Sequence, residues 1–144
     1  MPNSRVSRVV SVAVLHDVRV LVLERSPQDS FPGYWELPGG SVEGRESFLD
    51  AATRELAEET GIGKVLLEEF YRAVRPPLLP RSVKYDLVDE AAFRGRVSAR
   101  PDVRLNAHEH AEYRWASEAE LGVFKMAEPK RVLARLALRL PSDP

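Results

Sequence analysis

Between Gly39 and Ile62 the chain reads GGSVEGRESFLDAATRELAEETGI, and no other stretch restricts its fold as tightly. Two glycines open it, where the backbone can take angles that a side chain would forbid. A helix is predicted over Ser47–Thr60. Ser47 stands three residues before Asp50, as in a capping box. Leu49, Ala52 and Leu56 recur at helical spacing on one predicted face. Gly61 suits the position just past a helix end, and Ile62 can pack back on the last turn. Within this helix Glu55, Glu58 and Glu59 stand at i, i+3 and i+4, inside a sector of roughly 100°. Three carboxylates that close repel one another, and the end of a helix is where its macrodipole disfavours negative charge. Alone the arrangement is costly. It suits divalent cations, since clustered oxygens match Mg²⁺ or Mn²⁺, hard ions that bridge to phosphate oxygens. The competing reading is a solvated glutamate face, the common fate of a Glu-rich helix.

Around this stretch the pattern is one of strands. Ser7–Leu15 and Val18–Glu24 are Val-rich and separated by His16-Asp17, which predicts a hairpin. The near-continuous apolar run VVSVAVL predicts a strand buried on both faces. A turn-rich loop follows over Ser26–Gly33, then a short extended segment Tyr34–Leu37 stopped by Pro38. Strands are predicted over Val65–Arg75, Ser82–Phe93 and Glu112–Trp115, with Val83, Tyr85 and Leu87 alternating with polar residues. Pro76, Pro77 and Pro80 make a stiff loop, and Arg94–His110 reads as loop. Ser117 and Glu120 begin a short helical turn. Lys130–Leu140 reads as a terminal helix docked by Val132, Leu133, Leu136, Leu138 and Leu140. Strands interleaved with helices, without βαβ periodicity, predict a mixed-sheet α/β domain.

A chain of 144 residues is expected to form a single domain, residues 1–144, with one core. A formal net charge of -1 gives no global basic field, so neither a nucleic-acid polymer nor a membrane is an expected partner. With no Cys, disulfides, thiolate chemistry and Cys-based zinc sites are excluded. The N-terminal apolar run is short and ends at His16-Asp17, so it reads as a strand rather than a targeting segment. A cytoplasmic protein is expected.

The full spacing is Gly40, five residues, Glu46, seven residues, Arg54-Glu55-Leu56, one residue, Glu58-Glu59, one residue, Gly61-Ile62. With every defined position filled, this stretch resembles the Nudix hydrolase signature, and the compact chain looks MutT-like. Leu23-Glu24-Arg25, the run Tyr34–Gly40, and Glu109-His110 through Tyr113-Arg114-Trp115 are similar to elements that recur around Nudix boxes. The resemblance implies a Nudix fold, an α/β/α sandwich in which the box forms a loop-helix-loop beside a mixed sheet. It implies hydrolysis of a nucleoside diphosphate linked to another group. A nucleoside triphosphate would yield monophosphate and pyrophosphate; the alternatives are ADP-ribose, a dinucleoside polyphosphate, or a non-catalytic nucleotide-binding module. By the same resemblance Glu58 and Glu59 are the principal metal ligands, for Mg²⁺ or Mn²⁺, and Glu55 is a further ligand or proton acceptor. A backbone carbonyl of Gly39 or Gly40 would complete the site, while Arg54 and Glu46 would hold helix and loop through an ion pair. A small-molecule nucleotide substrate is the expected partner, and the chain is expected to be a monomer or a homodimer.

Further candidates lie outside the box. Glu109 is taken as a downstream metal ligand or base, with Glu112 the competing choice. Arg25 suits a phosphate contact. Trp35 and Tyr34 suit stacking on a nucleobase, with Phe31 and Tyr85 as weaker candidates of the same kind. Ser41 stands where many relatives carry Lys, which calls for another cation or a less charged substrate. His108 and His110 flank Glu109, but imidazole suits a hard-ion site poorly and both read as solvated. Phe124 and Met126 read as a packing corner.

Overall fold

The computed structural model describes residues 5–77 and 86–141. Strand β1 (Val6–His16) is the axis of the molecule. It runs parallel to β6 (Leu87–Arg96) along one edge, from Val6↔Leu87 to Leu15↔Arg96. Its other edge is shared by two partners. The C-terminal end pairs with β2 (Arg19–Arg25) through Leu15↔Val20 and His16↔Arg19, and the middle pairs with β4 (Gly39–Ser41) at Val9–Ser11. So β1 and β2 diverge beyond their hairpin. The chain fills the opening with β3 (Trp35–Glu36), which pairs with β2, followed by β4 on β1. The far edge of β2 carries β7 (His110–Ala116), and β6 carries β5 (Glu68–Arg75). The sheet is therefore mixed.

Alternation along β1 explains its unbroken hydrophobicity. Val10, Val12 and Val14 enter one core with Phe48, Ala51, Ala52 and Leu56 of helix α1 (Phe48–Thr60). Ala13 and Leu15 enter another with Leu121 of α2 (Glu118–Leu121) and Leu133, Ala134 and Ala137 of α3 (Glu128–Arg139). Side chains of a strand point alternately to its two faces, so helices cover both faces and the architecture is an α/β/α sandwich. No helix among the described residues is long and apolar enough to cross a membrane.

Several sequence expectations shift. The first turn is Asp17-Val18 rather than His16-Asp17: His16 still pairs in β1, Asp17 takes a φ of 52° that Asp tolerates, and Val18 is exposed. On α1 the buried face starts at Phe48, and Leu49 is 45% exposed. Phe48 lies between the guanidiniums of Arg8 and Arg72, 4.7 and 3.9 Å from its ring centre. Strand β5 begins at Glu68, because residues 65–67 cross over Gly95 instead of pairing. A Cβ on Gly95 would lie 2.3 Å from Val65 and 2.6 Å from the Leu66 carbonyl oxygen. β6 continues to Arg96 because it follows β1 in register, and β7 already begins at His110. On α3 the core face is Leu133, Ala134 and Ala137, while Val132 is exposed. Phe124 and Met126 do form a packing corner around Trp35. The predicted alternation at Val83 and Tyr85, the Pro80 loop and the candidate Tyr85 lie outside the described residues.

Candidate active site

Helix α1 sets three chemically identical carboxylates in three environments. Its N-terminus is capped by Ser47, whose hydroxyl accepts from the Asp50 N–H at 3.0 Å, and Gly61 closes it with a φ of 76°. The core face that buries Leu56 continues into the last turn, where it also carries Glu59 and Thr60. Glu59 is accordingly 7% exposed. Burial pushes its carboxyl up to about 8, and the charges of Glu55, Glu36 and Glu109 push the same way. The Gly39 N–H, donating to Glu59 Oε1 at 2.7 Å, opposes the shift without cancelling it. Glu55 is also raised, first by burial and then by Glu58 and Glu109, with Arg54 opposing. Glu58, one position round the helix, is 58% exposed at its side chain.

Arg54 ties this face to the preceding loop. Its guanidinium donates to Glu46 at 2.7 and 2.9 Å, to the Ser41 carbonyl at 2.9 Å, to Glu55 at 3.0 Å and to Glu58 at 3.2 Å. The hydrogen bond from Arg54 lowers the Glu46 carboxyl to about 2, helped by the Glu43 backbone N–H. Gly40 is required beside this cluster, because a Cβ there would lie 2.5 Å from the Glu55 carboxyl. Arg54 therefore holds Glu55 and Glu58, and Gly39 and Gly40 lie in the floor of the cleft that these acids line.

The facing wall comes from β2, β3 and β7. Glu109, just before β7, lines the same cleft as Glu55, Glu58 and Glu59. Its loop is pinned to the end of β2 by the Ser26 N–H, which donates to the Glu109 carbonyl at 2.9 Å. Glu112 is exposed on β7, opposite Glu24. The two histidines part company. His108 is exposed beside Gln28, whereas His110 is 2% exposed and faces inward, contrary to the expectation that both are solvated. His110 Nε2 lies 2.9 Å from Glu36 Oε2, and its Nδ1 lies 3.8 Å from Glu59 Oε2. Burial opposes charge on Glu36, but the hydrogen bond to His110 and the Arg25 guanidinium outweigh it and hold the carboxyl below its ordinary range. Glu36 and His110 line the candidate site; sequence reasoning did not single out Glu36 and set His110 aside as solvated. The available signal was the place of His110 next to an acid already singled out.

The substrate-contact candidates are placed as follows. Arg25 stands in the cleft with its guanidinium engaged by Glu36 at 3.2 Å, by Asp29 at 3.1 Å and by Ser30. Trp35 is 8% exposed and stacks on Phe124 at 4.8 Å. Tyr34 packs edge-on against Phe31 with Lys125 over its ring. Phe31, Tyr34, Trp35 and Arg25 line a second cleft of about 410 Å³, which shares Arg25, Glu36 and Lys130 with the main cleft of about 850 Å³. At the main cleft's other end Glu90, 1% exposed, is held by Lys130 at 2.8 Å and Arg75 at 3.1 Å. The cleft is thus acidic on the α1 side and cationic beyond it.

The donor set fits a divalent cation. Glu59, Glu109 and His110 bring three ligand atoms within 4.8 Å of one another, and Glu55 and Glu58 line the same space. Arg54 compensates Glu55 and Glu58 but makes no ion pair with Glu59 among the described residues.

Comparisons with known proteins agree with this geometry. The NUDIX domain family model matches residues 6–137. A CTP pyrophosphohydrolase of Escherichia coli (strain K12) is 30% identical over 119 residues, covering 83% of this chain and 82% of that protein. An octanoyltransferase of Myxococcus xanthus is 38% identical over 112 residues, 75% of this chain, and the chain spans only 30% of that relative's length. The crystal structure of a MutT protein from Methanosarcina mazei Go1 superposes with a TM-score of 0.75 at 26% identity, over 95% of this chain and 96% of that one.

Proposed function

The chain belongs to the NUDIX domain family, and from that premise we propose that it is a divalent-metal-dependent pyrophosphohydrolase of nucleoside triphosphates, releasing monophosphate and pyrophosphate. The observation that carries this reading is the convergence of Glu55, Glu58, Glu59 and Glu109 on one cleft whose far end is cationic. The similarity to a CTP pyrophosphohydrolase, along most of both chains, supports a triphosphate over other capped diphosphates.

Glu58, Glu59, Glu55 and Glu109 would hold Mg²⁺ or Mn²⁺, with the backbone of Gly39 or Gly40. The ion, when bound, supplies Lewis-acid stabilisation of phosphate charge and lowers the pKa of water. The protein's part is to place and hold charge, which is most of what phosphoryl transfer asks of it. Arg54 fixes Glu55 and Glu58 through direct hydrogen bonds and so acts as a positioning residue. Glu55, raised by burial yet anchored by Arg54, is placed to accept the proton of the attacking water. Water oxygen bonds to phosphorus, the anhydride P–O bond breaks, and pyrophosphate leaves with the bridging oxygen. Lys130 and Arg75 supply the positive charge for the outer phosphates that Ser41 cannot. Tyr34 and Trp35, beside Arg25, form the wall on which the base rests.

The test is a panel of nucleoside triphosphates, ADP-ribose and dinucleoside polyphosphates with Mg²⁺ or Mn²⁺, products resolved by mass. Pyrophosphate and a monophosphate are expected from a triphosphate. Glu58→Gln, on an exposed side chain, is expected to lose about a hundredfold or more in turnover with an unchanged fold. Undiminished turnover in excess chelator, or preferred cleavage of ADP-ribose to AMP and a sugar phosphate, overturns the reading.

A further inference from the structure

We propose that His110 is a nitrogen ligand of the cation site, making it a mixed site of one imidazole with the carboxylates of Glu59 and Glu109, which prefers Mn²⁺ or a similar transition cation to Mg²⁺. The inference rests on the hydrolase reading above and concerns which ion its site takes.

Three observations carry it. First, His110 Nδ1 is buried and has no hydrogen-bond partner among the described residues. A buried polar atom left unpaired is costly, so the atom calls for a partner. Second, the tautomer is set by geometry. Glu36 sits on the Arg25 guanidinium with two contacts at 3.2 Å and is therefore a carboxylate, an acceptor only. At 2.9 Å the proton between Glu36 and His110 must belong to Nε2. A neutral imidazole held this way presents the Nδ1 lone pair to the cleft. A carboxylate that fixes a histidine tautomer and aims its other nitrogen is the arrangement found behind metal-binding imidazoles. Third, that lone pair faces the acids at ligand-to-ligand spacing. Nδ1 and Glu59 Oε2 are 3.8 Å apart, too long for a hydrogen bond. Together with Glu109 the three ligand atoms lie within 4.8 Å of one another.

An all-oxygen cluster does little to separate Mg²⁺ from its competitors, whereas one imidazole shifts preference toward borderline transition cations.

The test uses the full chain loaded with Mn²⁺ and read by electron spin echo envelope modulation, in parallel with Mn²⁺/Mg²⁺ competition by calorimetry. Wild-type protein is expected to show imidazole nitrogen modulation that changes on ¹⁵N-histidine labelling, which needs no variant. His110→Gln is expected to lose the modulation and to lower the Mn²⁺/Mg²⁺ affinity ratio about tenfold or more, with metal-free circular dichroism unchanged. The other two histidines, His16 against Arg100 and His108 against Gln28, stand elsewhere and leave the signal in place when replaced. Bound Mn²⁺ without nitrogen modulation, or modulation that survives His110→Gln, overturns the inference while leaving the hydrolase reading intact. Failure of the wild-type chain to bind either ion overturns both.

Discussion

A carboxylate's chemistry in this protein is decided by where it stands on one helix. Glu59 shares the apolar face of α1 with Leu56 and is pushed up to about 8, while Glu58, its neighbour in sequence, remains in solvent. The linkage has a definite sign. Unfolded, Glu59 ionises near 4.5; folded, it keeps its proton to about 8. Between those values the folded chain binds a proton that the unfolded chain has released, so stability falls as pH rises. In chelator, denaturant unfolding should therefore show a loss on the order of several kcal/mol between pH 5 and pH 8. Glu59→Gln should flatten that slope, and an unchanged slope refutes the assignment. Glu46 works in the opposite direction: its stabilisation is present above 4.5 and is lost as pH falls toward about 2. His110 was set aside as solvated in the sequence because burial of a lone histidine carries no local mark. Its partner Glu36 and the nearby Glu59 lie far away along the chain.

At the scale of elements, the helix α1 was legible because its cap, its period and its terminal glycine all act within a few residues. Its rotation about its own axis was less so. Periodicity pointed to Leu49 with Ala52 and Leu56, but the sheet decided for Phe48, with Arg8 and Arg72 offered to its ring. The consequence is measurable: Leu56→Ala should cost about 2–5 kcal/mol, whereas Leu49→Ala should cost under about 0.5 kcal/mol. Equal losses in thermal or denaturant unfolding would mean that the helix is turned otherwise. Strand boundaries slipped for a related reason. Residues 65–67 have strand-like composition, but the close approach over Gly95 takes them out of the ladder.

At the scale of the molecule, the cleft is assembled where β1 and β2 part company, and β3 and β4, which occupy that opening, bring Glu36, Gly39 and Gly40 into its lining. One end of that cleft is held by a buried ion cluster spanning β5, β6 and α3, with Glu90 between Arg75 and Lys130. Removing one partner of a buried ion leaves charge uncompensated. Lys130→Met is expected to destabilise the fold by about 2 kcal/mol or more, and Lys130→Met combined with Glu90→Gln to recover most of it. A double variant no more stable than the single one would show that Glu90 does not need its cations.

What the sequence alone determined is local: the box spacing, the helix and the clustering of its acids. The helix and its acid sector follow from hydrogen bonds and periodicities that operate over one or two turns, and the reaction class was implied by the resemblance of the spacing to the Nudix signature. What only the tertiary structure decided is the wall facing that helix. Glu36 and His110 are 74 residues apart, and they meet because β2 pairs with β3 on one edge and β7 on the other. The burial that separates Glu59 from Glu58, and the orphaned Nδ1 aimed at Glu59, arise only once that wall closes. Desolvation is a property of the packed molecule, and no residue's neighbours in sequence specify it.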